Sequence, residues 1–207
     1  MDLPLSYKNC TGRTISVHAG YDEFWTSVNT DPLDRIRIQE FYSLYYPVKY
    51  MRAWVTDAAD NEFRKVPFEF KIHCAMCGAF GIGTDLFKAD EEKRKALKDG
   101  VALYKKIRNT IQFGEVYRLS SFRNSPVYAV EYTGKNQTVL FVFQELRERR
   151  IFERLVKLEN LDEDQIYTYE YENKIMKKSG SYLMYHGIWL SMKKDFQSYC
   201  IVFEAEK

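Results

Sequence analysis

The 207-residue chain contains no apolar run near the roughly 20 residues that a membrane-spanning helix needs. Its first residues, MDLPLSYKNC, carry neither a basic stretch nor an apolar segment behind it, so no signal peptide is expected. Cysteine is sparse. Four in a chain of this length do not suggest a disulfide framework, and a cytoplasmic protein with reduced thiols is expected. An excess of one charge is missing too. The 31 Lys and Arg are interspersed with 29 Asp and Glu, leaving a net charge of +2, which argues against an electrostatic nucleic-acid binder. Internal repeats and low-complexity segments are absent. What is present, 45% hydrophobic and 29% charged residues, is ordinary for a soluble globular protein of one large or two small domains. Aromatic content is high at 16%, which suits β-rich structure and carbohydrate contact about equally.

The most organised stretch is residues 25–47, WTSVNTDPLDRIRIQEFYSLYYP. A short apolar segment, expected as a strand over 25–28, runs into the polar turn Ser27-Val28-Asn29-Thr30. Asp31 then sits where a helix N-cap belongs, Pro32 takes the first helical position, and Asp34 falls in the first turn. Leu33, Ile36, Phe41, Leu44 and Tyr45 follow at roughly helical spacing, so a helix is expected over 32–46. The turn lies at the C-terminal end of its strand, the edge where βα proteins place chemistry.

Around this unit the chain divides at Gly114. Residues 3–10 read as a strand, 48–61 as loop, 67–77 as a short helix and 78–86 as a glycine-punctuated strand. Residues 89–112 form the clearest helix, with Asp90, Glu91 and Glu92 at its start and Lys105, Lys106 and Arg108 near its end. Gly100 weakens it slightly. Beyond Gly114 the pattern alternates, and strands are expected near 116–119, 127–132, 139–145, 152–158, 165–171, 182–184 and 199–204. A βα half over 1–113 therefore precedes an all-β half over 114–207.

WTSVNTDPLDRIRIQ resembles the WTSDNTDPLDRIRIQ-type signature of glycoside hydrolase family 36, the microbial α-galactosidases. The likeness extends through Cys10-Thr11-Gly12-Arg13, a shortened form of the family's glycine turn, and through FEFKIHCAMCGAFGIGTDL and ALYKKIRNTIQFGEVYRL. It continues in Ser179-Gly180-Ser181-Tyr182-Leu183-Met184 and Gly187-Ile188. Trp54 stands where the family usually has histidine, and Ala59-Asp60-Asn61-Glu62 replaces a Pro-Asn-His-Gln element. The resemblance implies the last βα units of a (β/α)8 barrel followed by a C-terminal antiparallel β-sandwich domain. It also implies retaining cleavage of terminal α-galactosides by two carboxylates about 5 Å apart. The family's nucleophile lies in a Lys-Trp-Asp motif, which occurs nowhere in these residues. Its acid/base is the first Asp of Ser-Asp-Asn-Thr-Asp, and Val28 occupies that position here. Valine moves no proton.

Asp31 is the carboxylate nearest that position; a displaced acid/base is weighed against a helix cap, and the cap is favoured by Pro32. Cys10, Gly12 and Trp25 match family positions at the galactose-binding end, with plain core packing as the other reading of Trp25. His73, Cys74 and Cys77 have part of a zinc spacing but no second ligand pair, so packing is expected and no metal. His18 has no nucleophile partner in any motif, and GAFGIG lacks the Lys-Ser/Thr of a phosphate loop, so no cofactor is expected. The expected function is that of a family 36 segment, part of carbohydrate metabolism, without hydrolysis of its own. Galactose or an α-galactoside is the ligand the resemblance allows, and no nucleic-acid or membrane partner is expected. The alternative is a non-catalytic carbohydrate-binding or scaffold module that associates with itself or with a separate N-terminal half.

Overall fold

The structure, a computed structural model, describes residues 23–57, 65–148 and 151–206. It is a mixed α/β architecture with antiparallel sheets on its C-terminal side. Strands β1 (Phe24–Trp25), β2 (Met51–Val55) and β3 (Ala79–Ile82) form a parallel sheet in the order β1-β2-β3. Parallel neighbours need crossovers, and helices α1 (Pro32–Ser43) and α2 (Phe68–Met76) supply them. Helix α3 (Glu91–Phe113) follows, capped by Asp90, whose carboxylate accepts from the Lys93 amide at 2.7 Å.

Several expectations need correction here. Residues 48–61 are not simply loop: a 3-10 turn (Val48–Tyr50) leads into β2. Only Met51, Ala53 and Val55 of β2 are buried, and the apolar Trp54 at an outward position disguises the alternation. In place of a strand over 25–28 there is β1, Phe24–Trp25, because Ser27 onward belongs to a hydrogen-bonded turn. Helix α1 stops at Ser43, before Tyr46. The strand over 78–86 is confined to β3. The 3–10 strand lies outside the described residues.

Beyond Gly114, strands β4 (Glu115–Ser120), β5 (Val127–Thr133), β6 (Gln137–Gln144), β8 (Ile166–Tyr171), β9 (Lys174–Ser179) and β11 (Gln197–Ala205) make one antiparallel sheet. Its order is β4-β5-β6-β11-β8-β9. Strands β7 (Glu153–Val156) and β10 (Ile188–Ser191) pair as a separate ribbon. The strand expected at 182–184 is instead helix α4 (Gly180–Tyr185), capped by the Ser179 hydroxyl, which accepts from the Tyr182 amide at 3.2 Å. The hairpin strand is β9, just before it. It was missed because KIMKKS is a polar edge strand whose Ile175 points into solvent. The β8–β9 turn places Glu172 and Asn173 at φ 49° and 60°, the left-handed pair that suits the twist of a tight hairpin.

The sheet's central strands β5 and β6 are dry on both faces. Tyr128, Val130, Tyr132, Val139, Phe141 and Phe143 pack with α1, α2, α3 and β2 in one core, which takes residues from both sides of Gly114. Val127, Ala129, Leu140 and Val142 alternate with them and pack on the other face with β7, α4 and β10. Each fully buried phenylalanine contributes roughly 2–3 kcal/mol. Polar ties cross between the two sides: Tyr132 Oη donates to the Cys77 carbonyl at 2.9 Å, and Arg118 Nε to Ser43 Oγ at 3.2 Å. Glu131 is fully buried in β5, where it accepts from the Glu159 amide at 2.7 Å and so fastens the loop after β7. Among the described residues no helix is long and apolar enough to cross a membrane.

Gly100 marks the close approach of α3 to α2. A Cβ there would lie 2.9 Å from Ile72 Cγ2. Helix propensity alone would make Gly100→Ala stabilising by about 1 kcal/mol, whereas overpacking costs about 1–3 kcal/mol. The variant is therefore expected to melt below the wild type in scanning calorimetry. A higher Tm would show that Ile72 gives way.

Candidate functional site

The turn after β1 is held by hydrogen bonds of short polar side chains. Ser27 Oγ accepts from the Asn29 amide at 3.0 Å, and Asn29 Oδ1 accepts from the Asp31 amide at 2.9 Å. The same Asn29 donates through Nδ2 to Asp34 at 2.8 Å. Asp31 Oδ1 accepts from the Leu33 amide at 3.0 Å and the Asp34 amide at 3.3 Å, which makes it the N-cap of α1. Arg35, 2% exposed, reaches back from α1 to the carbonyls of Ser27 (3.4 Å) and Arg52 (2.9 Å). Strand, turn and helix are thus held by one guanidinium. Val28 sits at the crest of this turn, 63% exposed, and is the apolar residue in an otherwise polar run.

The neighbouring strand ends carry further carboxylates, each already engaged. Asp57 follows β2; Lys93 pairs with it and the Asp85 amide donates to it at 3.0 Å, so its carboxyl is held below the usual range, chiefly by the Lys93 hydrogen bond. Asp85 follows β3, accepts from the Phe87 amide at 3.0 Å and pairs with Lys88 at 3.3 Å. Glu23, ahead of β1, pairs with Arg52. No two of these carboxylates face one another as an uncommitted acid and nucleophile would.

An aromatic cluster lies on the sheet face away from the helices. Trp25, 49% exposed, is opposite Arg52 in the β1–β2 register. The Trp25 and Trp54 rings meet at 5.6 Å and 87°, and the Arg52 guanidinium lies 5.0 Å from the Trp54 ring. The Trp54 indole rests against the glycines of β3 and the residue after it: a Cβ at Gly81 would lie 3.1 Å from it and one at Gly83 3.3 Å. The buried Trp54 Nε1 has no acceptor among the described residues, a cost of about 1–3 kcal/mol that packing of the ring must offset.

Of the residues singled out from the sequence, Trp25, Val28 and Asp31 come together at the end of β1. Cys10, Gly12 and His18 lie outside the described residues, as do residues 59–62. His73 and Cys74 are on α2 and Cys77 is its C-cap, all three buried. Burial pushes the Cys74 thiol up to about 11 and raises that of Cys77 too, which keeps both protonated. Among the described residues no group of three His, Cys, Asp or Glu is placed to hold a metal. Sequence reasoning missed Arg35, which reads as an ordinary outward cation of an amphipathic helix. The Glu23–Arg52 pair has no sequence signal either, because residues 48–61 read as loop.

Residues 6–114 match the Melibiase family, and residues 127–203 match the glycosyl hydrolase family 36 C-terminal domain. The α-galactosidase AgaA of Geobacillus stearothermophilus is 33% identical over 178 residues, 84% of this chain and 24% of that protein. The crystal structure of the family 36 α-galactosidase AgaB from the same organism superposes with a TM-score of 0.82 at 31% identity, covering 89% of this chain and 26% of its own. A crystal structure of an AgaA variant in complex with raffinose gives a TM-score of 0.80 at 30% identity, covering 87% and 25%. The chain thus spans about a quarter of the length of the relatives it matches.

His73 offers a pH test of the core beneath the site. Its Nδ1 lies 2.8 Å from Ser198 Oγ, and burial pushes its pKa from 6.5 down to about 4. Between those values the unfolded chain binds a proton that the native one refuses, so stability is full above pH 6.5 and lost as pH falls toward 4. His73→Gln, which does not titrate, is expected to lose about 3 kcal/mol less than wild type between pH 7 and pH 4 in urea unfolding. Parallel curves would place the acid sensitivity elsewhere.

Proposed function

The chain belongs to the melibiase family, glycoside hydrolase family 36, and from that premise we propose that it is an α-galactosidase-type segment that recognises α-galactosides without hydrolysing them on its own. The parallel sheet and its helices correspond in this reading to the last βα units of a (β/α)8 barrel, over 1–113. The antiparallel part corresponds to a C-terminal β-sandwich domain, over 114–207. The end of β1 is then the sugar-facing end, with Trp25, Cys10 and Gly12 as binding positions and Val28 at the position of the acid/base.

The observation that carries the reading is the state of the carboxylates. Hydrolysis with retention needs one carboxylate to attack and another to give and take a proton. Val28 can do neither, and Lys-Trp-Asp occurs nowhere in the sequence. Asp31, the remaining candidate, spends a carboxylate oxygen on two helix amides. A second reading, a subunit that pairs with its own kind or with a separate N-terminal half, has its own support. In the order β1-β2-β3 both outer strands have one edge without a strand partner among the described residues, and such edges favour association. A soluble, cytoplasmic setting goes with either.

The purified chain is expected to release no nitrophenol from an aryl α-galactoside above the buffer rate, and its melt is expected to rise with millimolar galactose. Asp31→Asn is the informative control, because asparagine caps a helix about as well as aspartate. Turnover by the wild type that this change abolishes would overturn the inactive reading. Sedimentation as a monomer over a wide concentration range would count against the subunit reading.

A further inference from the structure

We propose that Trp54 is a positioning residue for Trp25, and that its indole sets the open ring of Trp25 as the platform for the C–H face of a pyranose. This rests on the galactoside reading above and adds a residue to it. Trp25 is the last residue of a two-residue edge strand, so the backbone alone constrains its side chain weakly. What fixes it is a perpendicular neighbour at 5.6 Å. Such a neighbour covers at most one ring face and leaves the other available, which agrees with Trp25 being half exposed.

Trp54 is itself immobilised from several sides. Gly81 is its register partner on β3, and a methyl group at Gly81 would press on the indole at 3.1 Å, closer than an ordinary contact. The glycine-punctuated strand is therefore the seat of a ring, which gives GAFGIG a role that no phosphate loop supplies. On another side the Arg52 guanidinium lies over the ring, and Glu23 holds that guanidinium by an ion pair. Arg52 and Glu23 remain partly open to solvent, with side-chain exposures of 39% and 38%, and their polar atoms flank the platform. An apolar ring with one open face beside a few charged hydrogen-bonding groups is suited to a neutral sugar, which offers C–H groups on one face and hydroxyls around its rim.

The test uses the full chain in a Trp189→Phe background, so that Trp25 and Trp54 alone report. Near-ultraviolet circular dichroism is expected to show a coupled signal from the two indoles, and galactose is expected to perturb their fluorescence. Trp54→Phe, which keeps a ring at the contact, is expected to bind galactose within about two-fold of the parent. Trp54→Leu, which keeps apolar volume without a ring, is expected to bind about five-fold more weakly, the scale of one aromatic pair, while melting cooperatively. Trp54→Leu binding as tightly as the parent overturns the positioning role and leaves the galactoside reading intact. A parent that gives no response to galactose overturns the galactoside reading, and this role with it. Should Trp54→Leu fail to fold, Gly81→Ala keeps both indoles but crowds the ring, and unchanged affinity there likewise overturns the role.

Discussion

Helix α2 is buried from Phe70 to its last residue, Met76, and keeping that stretch dry is the constraint the rest of the structure meets. It packs against α1, α3 and strands β2, β3 and β11. The parallel sheet and the large antiparallel sheet share no strand, yet both serve as walls for this helix. His73 and the cysteines belong to that burial. An imidazole kept neutral and thiols kept protonated are what a segment without solvent contact requires.

At the end of β1 the chemistry of the turn is opposed to catalysis by the same bonds that give it order. A general acid has to exchange its proton with a substrate, so its carboxylate must be reachable and uncommitted. Here Asp31 holds helix amides, Asp34 holds Asn29, Asp57 holds Lys93 and the Asp85 amide, and Glu23 holds Arg52. The side chains this end of β1 presents to solvent without such a bond include Trp25 and Val28, which are aromatic and apolar. A surface of that kind suits recognition better than proton transfer.

The sequence revealed most where a local rule acts alone. Asp31-Pro32 announced the start of α1, Asp90-Glu91-Glu92 that of α3, and the alternation of β5 and β6 was plain. It revealed least where tertiary context decides. Met51–Val55 becomes a strand because two other strands and two helices surround it, although Trp54 at an outward position blurs its alternation. Strand β9 is polar, and its identity comes from its hairpin partner β8. Residues 182–184 took a helical course because Ser179 caps the turn, a signal hidden inside a segment that resembles a β-domain. At the site the motif located Trp25, Val28 and Asp31, while Arg35 and the seat of Trp54 became visible only in three dimensions.

The strict alternation of β6, with Phe141 and Phe143 on one side and Leu140 and Val142 on the other, means that each of two cores reads every second residue of the same strand. Exchanging one of these side chains for another of similar size disturbs one core by a small amount. Inserting or deleting a single residue exchanges the two sets, carrying large rings into the space shaped for aliphatic chains and leaving the helices facing a thinner layer. The pairing of β6 with both β5 and β11 extends the error to three strands at once. Drift in composition is tolerable along this strand, and drift in length is not.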